Sequence, residues 1–496
     1  MLEFRNPQVS EFIDKWFASD LIQGKILYNA LNQPGKERIK DLARNPLRLT
    51  LLCSTWHSRE SRLPNTRAAL YEQFVEDFYR WKCKRFPTSA QQRSALNAQL
   101  GELAREAIGK ELNRFSLRHG LVCRIMGHPD NSDSMLRLAL DLGWLNTVGR
   151  SAENPREPVY SFFHATFQEY FAAASIGDWN FFVPREHEDA PVRASDNLLN
   201  EKLYRIFEPQ WKEVILLWLG RNDIKLEEKY ELIEKLLEFD DGCGYFYSRR
   251  AFFLAALGVS EIPEYPSSEQ IIQNVVEFGV GTLHPESNQW ISFLDPLKKQ
   301  ARITLLSIAD SFVVEALQSS LQIAEPPRHV YEISNLLTTV DFSNQQAINA
   351  LKELLKPSQA SYIRQAAAST LIDTSERSSG AEKTLIELTH KDNSDWTRLD
   401  AASALLQIDP VHPKSINCLI NLLCTANDER ILWNLGLDEV GLSSPKLIRT
   451  LVKMSALGST QEIRGTSLRY LALTLLVDEN AVARLLSFIK IPRLVI

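Results

Sequence analysis

The chain has 496 residues, with 20 glycines, 22 prolines, 44% hydrophobic and 24% charged residues, and a formal net charge of -6 from 56 basic and 62 acidic side chains. So few turn formers count against a β-sandwich or barrel, a collagen-like fibre and a disordered tail, all of which need more of them. Long helices in about three domains are the expectation, and the slight negative charge offers no field to hold a nucleic acid or an anionic membrane.

The six cysteines (Cys53, Cys83, Cys123, Cys243, Cys418, Cys424) lie far apart, with no Cys-x-x-Cys. That spacing indicates neither a zinc knuckle nor a disulfide framework, so no metal is expected, and the thiols should stay reduced in a cytoplasmic protein. The first twenty residues lack the basic-then-apolar order of a leader. The most apolar runs, 214–219 and 251–259, fall short of the about 20 residues that a membrane span needs.

Residues 8–85 read as helices. Val9, Phe12, Ile13, Trp16 and Phe17 recur at three- and four-residue steps and form one apolar stripe. Pro34-Gly35 breaks the pattern, a helix from about Glu37 carries Ile39, Leu42 and Ala43, and Pro46 stands at the first turn of another that runs through Leu47 to Cys53. After Pro64-Asn65, the residues Leu70, Tyr71, Phe74, Phe78 and Trp81 share a face. The segment ends in Lys82, Lys84 and Arg85, cations suited to the negative end of a helix dipole.

From about Ser89 the elements shorten. Helices are expected near 96–112, 116–126 and 134–142, with a stop at Gly143; Trp144-Leu145 and the run 159–163 then form a hairpin leading into a helix at 166–175. Three small helices and a β-wing read as a winged helix, the only part of the chain where strands are expected. Its residues 116–150 carry scattered arginines rather than a basic recognition face. The acidic, irregular tract 184–196 marks a boundary, and the helical period resumes at 211–219, 228–239 and 249–257.

A repeat then emerges. Arg364, Arg398, Arg430 and Arg464 are spaced by 34, 32 and 34 residues, and seven residues after each stands a leucine: Leu371, Leu405, Leu437 and Leu471. Ala367-Ala368 and Ala401-Ala402 leave room for a neighbouring helix to approach closely. Second helices are expected at 384–388, 415–423, 447–454 and 481–486, and a less regular pair at 328–337 with 346–355. A periodic helix pair cannot bury its own apolar face, so the pattern predicts an α-solenoid. Ile363-Arg364, Glu429-Arg430 and Ile463-Arg464 open their helices as short HEAT repeats do, and the stretch resembles that class. The fold expected is mainly α: a helical domain over 1–87, a winged helix over 88–183, a helical connector over 184–299 and a solenoid of HEAT-like helix pairs over 300–496.

Catalytic signatures are absent from the sequence. A phosphate-binding loop needs glycines that open backbone N–H groups to phosphate, then Lys and Ser/Thr. Gly24-Lys25, Gly35-Lys36 and Gly109-Lys110 are followed instead by Ile26, Glu37 and Glu111. There is no His-Glu-x-x-His, Gly-x-Ser-x-Gly or Gly-x-Gly-x-x-Gly string, so no catalytic residue is assigned and the chain is not expected to be an enzyme.

The strongest local signal is Phe162-Phe163-His164-Ala165-Thr166-Phe167-Gln168-Glu169-Tyr170-Phe171-Ala172-Ala173. It closely resembles the end of the winged helix in NACHT-type signal-transducing NTPases of the STAND class. Arg44-Asn45-Pro46-Leu47-x-Leu49-Thr50-Leu51-Leu52-Cys53, then Leu63-Pro64 and Arg67-x-x-Leu70-Tyr71-Glu72, looks like the helical domain that follows the family's nucleotide-binding core. The opening from Leu2 to Phe17 and Trp211-Lys212-Glu213-Val214 are similar landmarks, so the resemblance covers roughly residues 1–220.

In that family the proline packs on adenine and the winged-helix histidine reaches the β-phosphate of ADP, which locks the inactive state. Carried over by motif, those roles fall on Pro46 and His164. A rigid apolar ring suits a base face, and an imidazole N–H donates to phosphate oxygen. The local readings stay open beside this: Pro46 as a first-turn proline, His164 as a satisfied core histidine.

The family's phosphate loop, acidic strand and sensor arginine precede the segment matched by Leu2. The chain is therefore expected to be the C-terminal part of such a protein, taking ADP or ATP only with an upstream or separate core and not hydrolysing ATP alone. The resemblance implies a regulatory and sensor module of a bacterial NACHT system, in antiviral defence or stress signalling. Its HEAT-like arm would recognise a protein trigger, and its winged helix would release nucleotide-dependent autoinhibition and permit oligomerisation. The alternative is a free-standing HEAT-repeat scaffold that binds a protein partner without a nucleotide role.

Overall fold

The computed structural model describes residues 4, 6–33, 39–40, 43–56, 63–110, 114–185, 204–240, 246–262, 264–284, 290–308, 311–374, 379–409 and 412–425, and the single positions 453, 455, 464, 465, 467 and 468. The chain is mainly helical and divides into two units, Met1–Val313 and Val314–Ile496. The division falls inside a helix, Ser311–Ile323, where the sequence pattern places a boundary between residues 299 and 300.

The first unit opens with α1 (Asn6–Trp16), α2 (Leu21–Leu31), α3 (Pro46–Trp56) and α4 (Arg67–Lys82). The stripe of Val9, Ile13 and Phe17 is buried as its spacing predicts, while Trp16 lies exposed. Asp20 caps α2 by accepting from the Gln23 N–H, and Thr66 caps α4 by accepting from the Ala69 N–H. Pro34-Gly35 and Leu42 lie outside the described residues, although Ile39 and Ala43 are buried.

Next come α5 (Ala90–Lys110), β1 (Leu117–Arg118), α6 (His119–Met126), α7 (Met135–Leu142), β2 (Leu145–Arg150), β3 (Pro158–Phe162) and α8 (Ala165–Ala174). The three strands form one antiparallel sheet in the order β1-β3-β2, with Leu117 opposite Tyr160 and Leu145 opposite Phe162. The stop at Gly143 is present: this residue takes φ 92° and returns its N–H to Ala139. The expected helix at 116–126 divides, because Leu117 and Arg118 pair with β3 and only the remainder is helical. Helices α5 and α8 pack together at Gly101, where a Cβ would stand 2.6 Å from Ser175 Cβ and 2.8 Å from the Phe171 carbonyl oxygen. No side chain fits that crossing. Trp144, Tyr160, Phe167 and Phe171 fill the space between sheet and helices, with Trp144 and Phe171 in edge contact at 5.2 Å.

The unit continues through α9 (Lys212–Leu219), α10 (Leu226–Leu237), α11 (Phe246–Val259), α12 (Ser268–Val280) and α13 (Asp295–Ile308). Between the last two, β4 (Thr282–Leu283) pairs antiparallel with β5 (Trp290–Ile291). This corrects the expectation that strands occur only in the wing. Two residues per strand are too few to show alternation, so the hairpin leaves no period in the sequence. The tract 186–196 of the expected boundary loop lies outside the described residues.

In the second unit three helix pairs follow one another: α15 (Pro327–Val340) with α16 (Gln345–Glu353), α17 (Ser361–Ile372) with α18 (Ser379–Leu388), and α19 (Asp395–Ile408) with α20 (Pro413–Thr425), after α14 (Ser311–Ile323). Their first helices begin at 327, 361 and 395, an interval of 34 residues each time. Successive pairs pack on each other, and Ala367, Ala368, Leu371, Ala401, Ala402 and Leu405 are all fully buried. The alanines thus sit where close approach requires small side chains. Arg430, Leu437 and Leu471, and the helices expected at 447–454 and 481–486, lie outside the described residues apart from Lys453.

Candidate functional site

Pro46 is the first residue of α3. Asn45 caps this helix, its Oδ1 accepting from the N–H groups of Leu47 at 3.0 Å and Arg48 at 3.2 Å. Proline suits that position because its missing N–H would have no intrahelical partner. Its ring is half-buried, and Leu49, Leu51, Leu52 and Cys53 anchor the helix below it.

His164 precedes the first residue of α8 with extended backbone, φ -151° and ψ 150°. Its Nδ1 accepts from the Thr166 N–H at 3.3 Å and lies 3.1 Å from Thr166 Oγ1. An imidazole whose Nδ1 accepts carries its proton on Nε2. Burial lowers the pKa of this half-buried ring, so it is neutral at pH 7 and presents Nε2–H as a donor. The histidine is therefore a helix cap, and among the described residues its other nitrogen has no hydrogen-bond partner. Neighbouring N–H groups at the start of α8 favour a negative charge there.

The rest of the string is structural. Phe167 and Phe171 are core residues, the Gln168 Nε2 donates to the Arg114 carbonyl at 2.8 Å, and Arg114 Nη2 donates to Glu169 Oε1 at 3.1 Å. Burial, reinforced by Glu213, raises the Glu169 carboxyl pKa, and Arg114 only partly opposes this.

The structure connects the two candidate residues through α4. Tyr71 meets Phe167 edge-on at 5.2 Å, Phe74 lies 5.1 Å from Phe167, and Phe78 lies 6.3 Å from Phe163, next to His164. Helix α3, led by Pro46, packs on that same α4. Both candidates thus belong to one packed body, one offering an apolar ring and the other an N–H donor.

Two further constellations carry no local sequence signal strong enough to be singled out. Arg67 Nε pairs with Glu261 Oε1 at 2.7 Å and its Nη1 with Glu213 Oε2 at 3.2 Å, while Thr66 Oγ1 donates to the Gly220 carbonyl at 2.6 Å. These contacts fasten α4 to the connector, 146 to 194 residues away along the chain. The second is His119, Cys123 and His128, whose donor atoms all lie within 4.8 Å of one another. The four-residue step from His119 to Cys123 on one helix is the only sequence trace of it.

Among the described residues no helix is long and apolar enough to cross a membrane. No protein-family model matches the chain, and no curated protein is significantly similar to it.

Proposed function

We propose that the chain is the regulatory and sensor part of a NACHT-type signalling protein, cytoplasmic and bacterial, in which the segment around His164 senses the diphosphate of bound ADP and the second unit receives a protein trigger. The observation that carries this reading is the capping geometry of His164, which commits Nδ1 to Thr166 and leaves Nε2–H as a neutral donor at a helix N-terminus. A phosphate oxygen placed there gains a hydrogen bond and the favourable end of the helix dipole. Pro46, held at the first turn of α3 by the Asn45 cap, supplies a rigid apolar ring for a purine face.

On this reading the small helices and three-stranded sheet of residues 90–174 act as the winged helix, and the 34-residue pairs act as a HEAT-like solenoid. A solenoid presents side chains over a long span, which suits recognition of a protein. The trigger binds the open arrangement better than the closed one, so that its binding shifts the population toward the open form and an oligomer. The chain itself does not hydrolyse ATP, which needs the phosphate loop of a nucleotide-binding core.

The test is retention of fluorescent ADP by the chain mixed with a separately expressed NACHT-type nucleotide-binding core. His164→Ala should speed ADP release at least tenfold, and His164→Asn, which keeps the cap but not Nε2–H, should do the same. Unchanged release in both variants overturns the nucleotide role. A second reading, a protein-binding scaffold without nucleotide, rests on the regular 34-residue helix pairs and would survive that result.

A further inference from the structure

The geometry points to a metal site that the nucleotide reading does not use: we propose that His119, Cys123 and His128 bind a zinc-class divalent cation. His119 opens α6 directly after β1, and Cys123 follows one turn later on the same face. The helix ends at Gly127, whose φ of 85° lets the chain reverse, and His128 returns to stack edge-on against His119 with ring centroids 5.6 Å apart. The Gly127 N–H closes that turn on the Cys123 carbonyl at 3.0 Å. One ligand atom from each of the three residues lies within 4.8 Å of the others.

Ligand chemistry sets the metal class. Cys123 Sγ lies 3.4 Å from His119 Nε2 and 3.5 Å from Nδ1. In a tetrahedral zinc site, with Zn–S about 2.3 Å and Zn–N about 2.0–2.1 Å, the S···N edge to the ligating nitrogen is about 3.6 Å. Cys123 Sγ has that spacing to Nε2 but is as close to Nδ1, so metal binding requires the His119 ring to turn until its Nε2 lone pair meets the metal. One thiolate with two imidazoles suits zinc, whereas magnesium and calcium demand oxygen ligands.

The surroundings already hold the outer nitrogens. His119 Nδ1 lies 3.2 Å from the Tyr160 hydroxyl, a contact set by the pairing of Leu117 with Tyr160. His128 Nδ1 lies 3.3 Å from Asp130 Oδ2. With metal on each Nε2, the Nδ1 proton of His119 faces the Tyr160 hydroxyl, and that of His128 goes to the Asp130 carboxylate in place of the Asp130 N–H, 3.4 Å away, that this nitrogen accepts in the metal-free chain. The Cys123 proton leaves to solvent as the thiolate binds. Three protein ligands leave a fourth position for water.

The probe is cobalt(II), which reports sulfur ligation and tetrahedral geometry by absorption. The 496-residue chain should take up one equivalent, with a thiolate-to-cobalt charge-transfer band and intense visible bands that zinc abolishes. Losing even an outer-shell partner weakens metal sites by about 10–100-fold, so Cys123→Ser and His128→Ala should weaken binding by more than that. Cys83→Ser, at an exposed thiol, should leave the spectrum unchanged. His128 is exposed, so its variant keeps the test valid should Cys123→Ser fail to fold. Absence of the charge-transfer band in the wild type, its persistence in folded Cys123→Ser or His128→Ala, or its loss in Cys83→Ser overturns the proposal.

Discussion

Arg364 Nη2 donates to Glu387 Oε2 at 2.9 Å, from the first helix of one pair to the second helix 23 residues later. Arg398 Nη2 donates to Asn421 Oδ1 at 2.6 Å over the same 23 residues. The repeated arginine thus ties the two helices of its own pair, and the acceptor need not be charged. Burial separates the two bonds energetically. Glu387 is 49% exposed, so Glu387→Gln should cost less than about 1 kcal/mol. Arg398 is 6% exposed and also holds Asp395, so Arg398→Ala should cost about 2 kcal/mol by removing a buried side chain together with both of its charge-assisted bonds, while the acceptors themselves turn to water. Amide exchange over residues 395–425 should rise sharply in Arg398→Ala and barely in Glu387→Gln. Equal effects would refute the division by burial.

That repeat was legible because a helix pair encodes its packing locally: Ala-Ala at the close approach, Leu one face later, Arg at the start. The His164 string stood out because its residues are consecutive, but the capping role of His164 and the bonds of Gln168 and Glu169 to Arg114, 54 and 55 residues away, left no trace in it. Nor was the link from Arg67 to Glu261 legible, because partners 194 residues apart leave no period in either segment. His128 escaped for a subtler reason. It lies beyond the helix that carries Cys123, and only the turn at Gly127 returns it to His119.

The Arg67–Glu261 pair, with side chains 12% and 5% exposed, is the main charged contact between α4 and the connector. Glu261 Oε2 also accepts the Arg67 backbone N–H at 3.3 Å. Removing Glu261 leaves the buried Arg67 with only the partly exposed Glu213 as a charge partner, and Glu261→Met should cost about 3 kcal/mol. The double variant Arg67→Met with Glu261→Met should recover at least about 1 kcal/mol of this, since no buried unpaired charge remains: Glu213, 38% exposed, turns to water and to Arg48 at 3.9 Å. Urea unfolding followed by tryptophan fluorescence would measure both. A double variant no better than Glu261→Met would show that the pair is not the source of the loss.

His164 has a role in stability that can be separated from any nucleotide contact. Loss of its cap in His164→Ala should cost about 1 kcal/mol at pH 7, and Asn, itself a good cap, should restore most of it. The pH dependence has a definite sign. Burial lowers the pKa of His164 in the folded state, so above its ordinary value of 6.5 both folded and unfolded forms are neutral and its contribution is complete. As pH falls below 6.5 the unfolded chain takes up the proton first, and stability is lost. The stability of His164→Asn relative to wild type should therefore rise from pH 7 to pH 5. A difference constant with pH would mean that His164 is not held neutral.

Glu169 should show the opposite slope. Its pKa is raised, first by burial and then by Glu213, above the ordinary carboxyl value of 4.5. Between that value and the raised one the folded state binds the proton more readily than the unfolded chain, so stability falls as pH rises through this window. Glu169→Gln cannot ionise and still offers Arg114 a carbonyl oxygen in place of the acceptor now 3.1 Å away. Relative to wild type the variant should gain stability as pH rises from 4.5 through the raised folded-state pKa and keep that gain above it, and melting curves of the two proteins across the acid-to-neutral range would measure it. Should wild type instead pull ahead of Glu169→Gln as pH rises, the ion pair with Arg114 outweighs the cost of burying the carboxylate, and Glu169 holds α8 by charge rather than by hydrogen bonding alone.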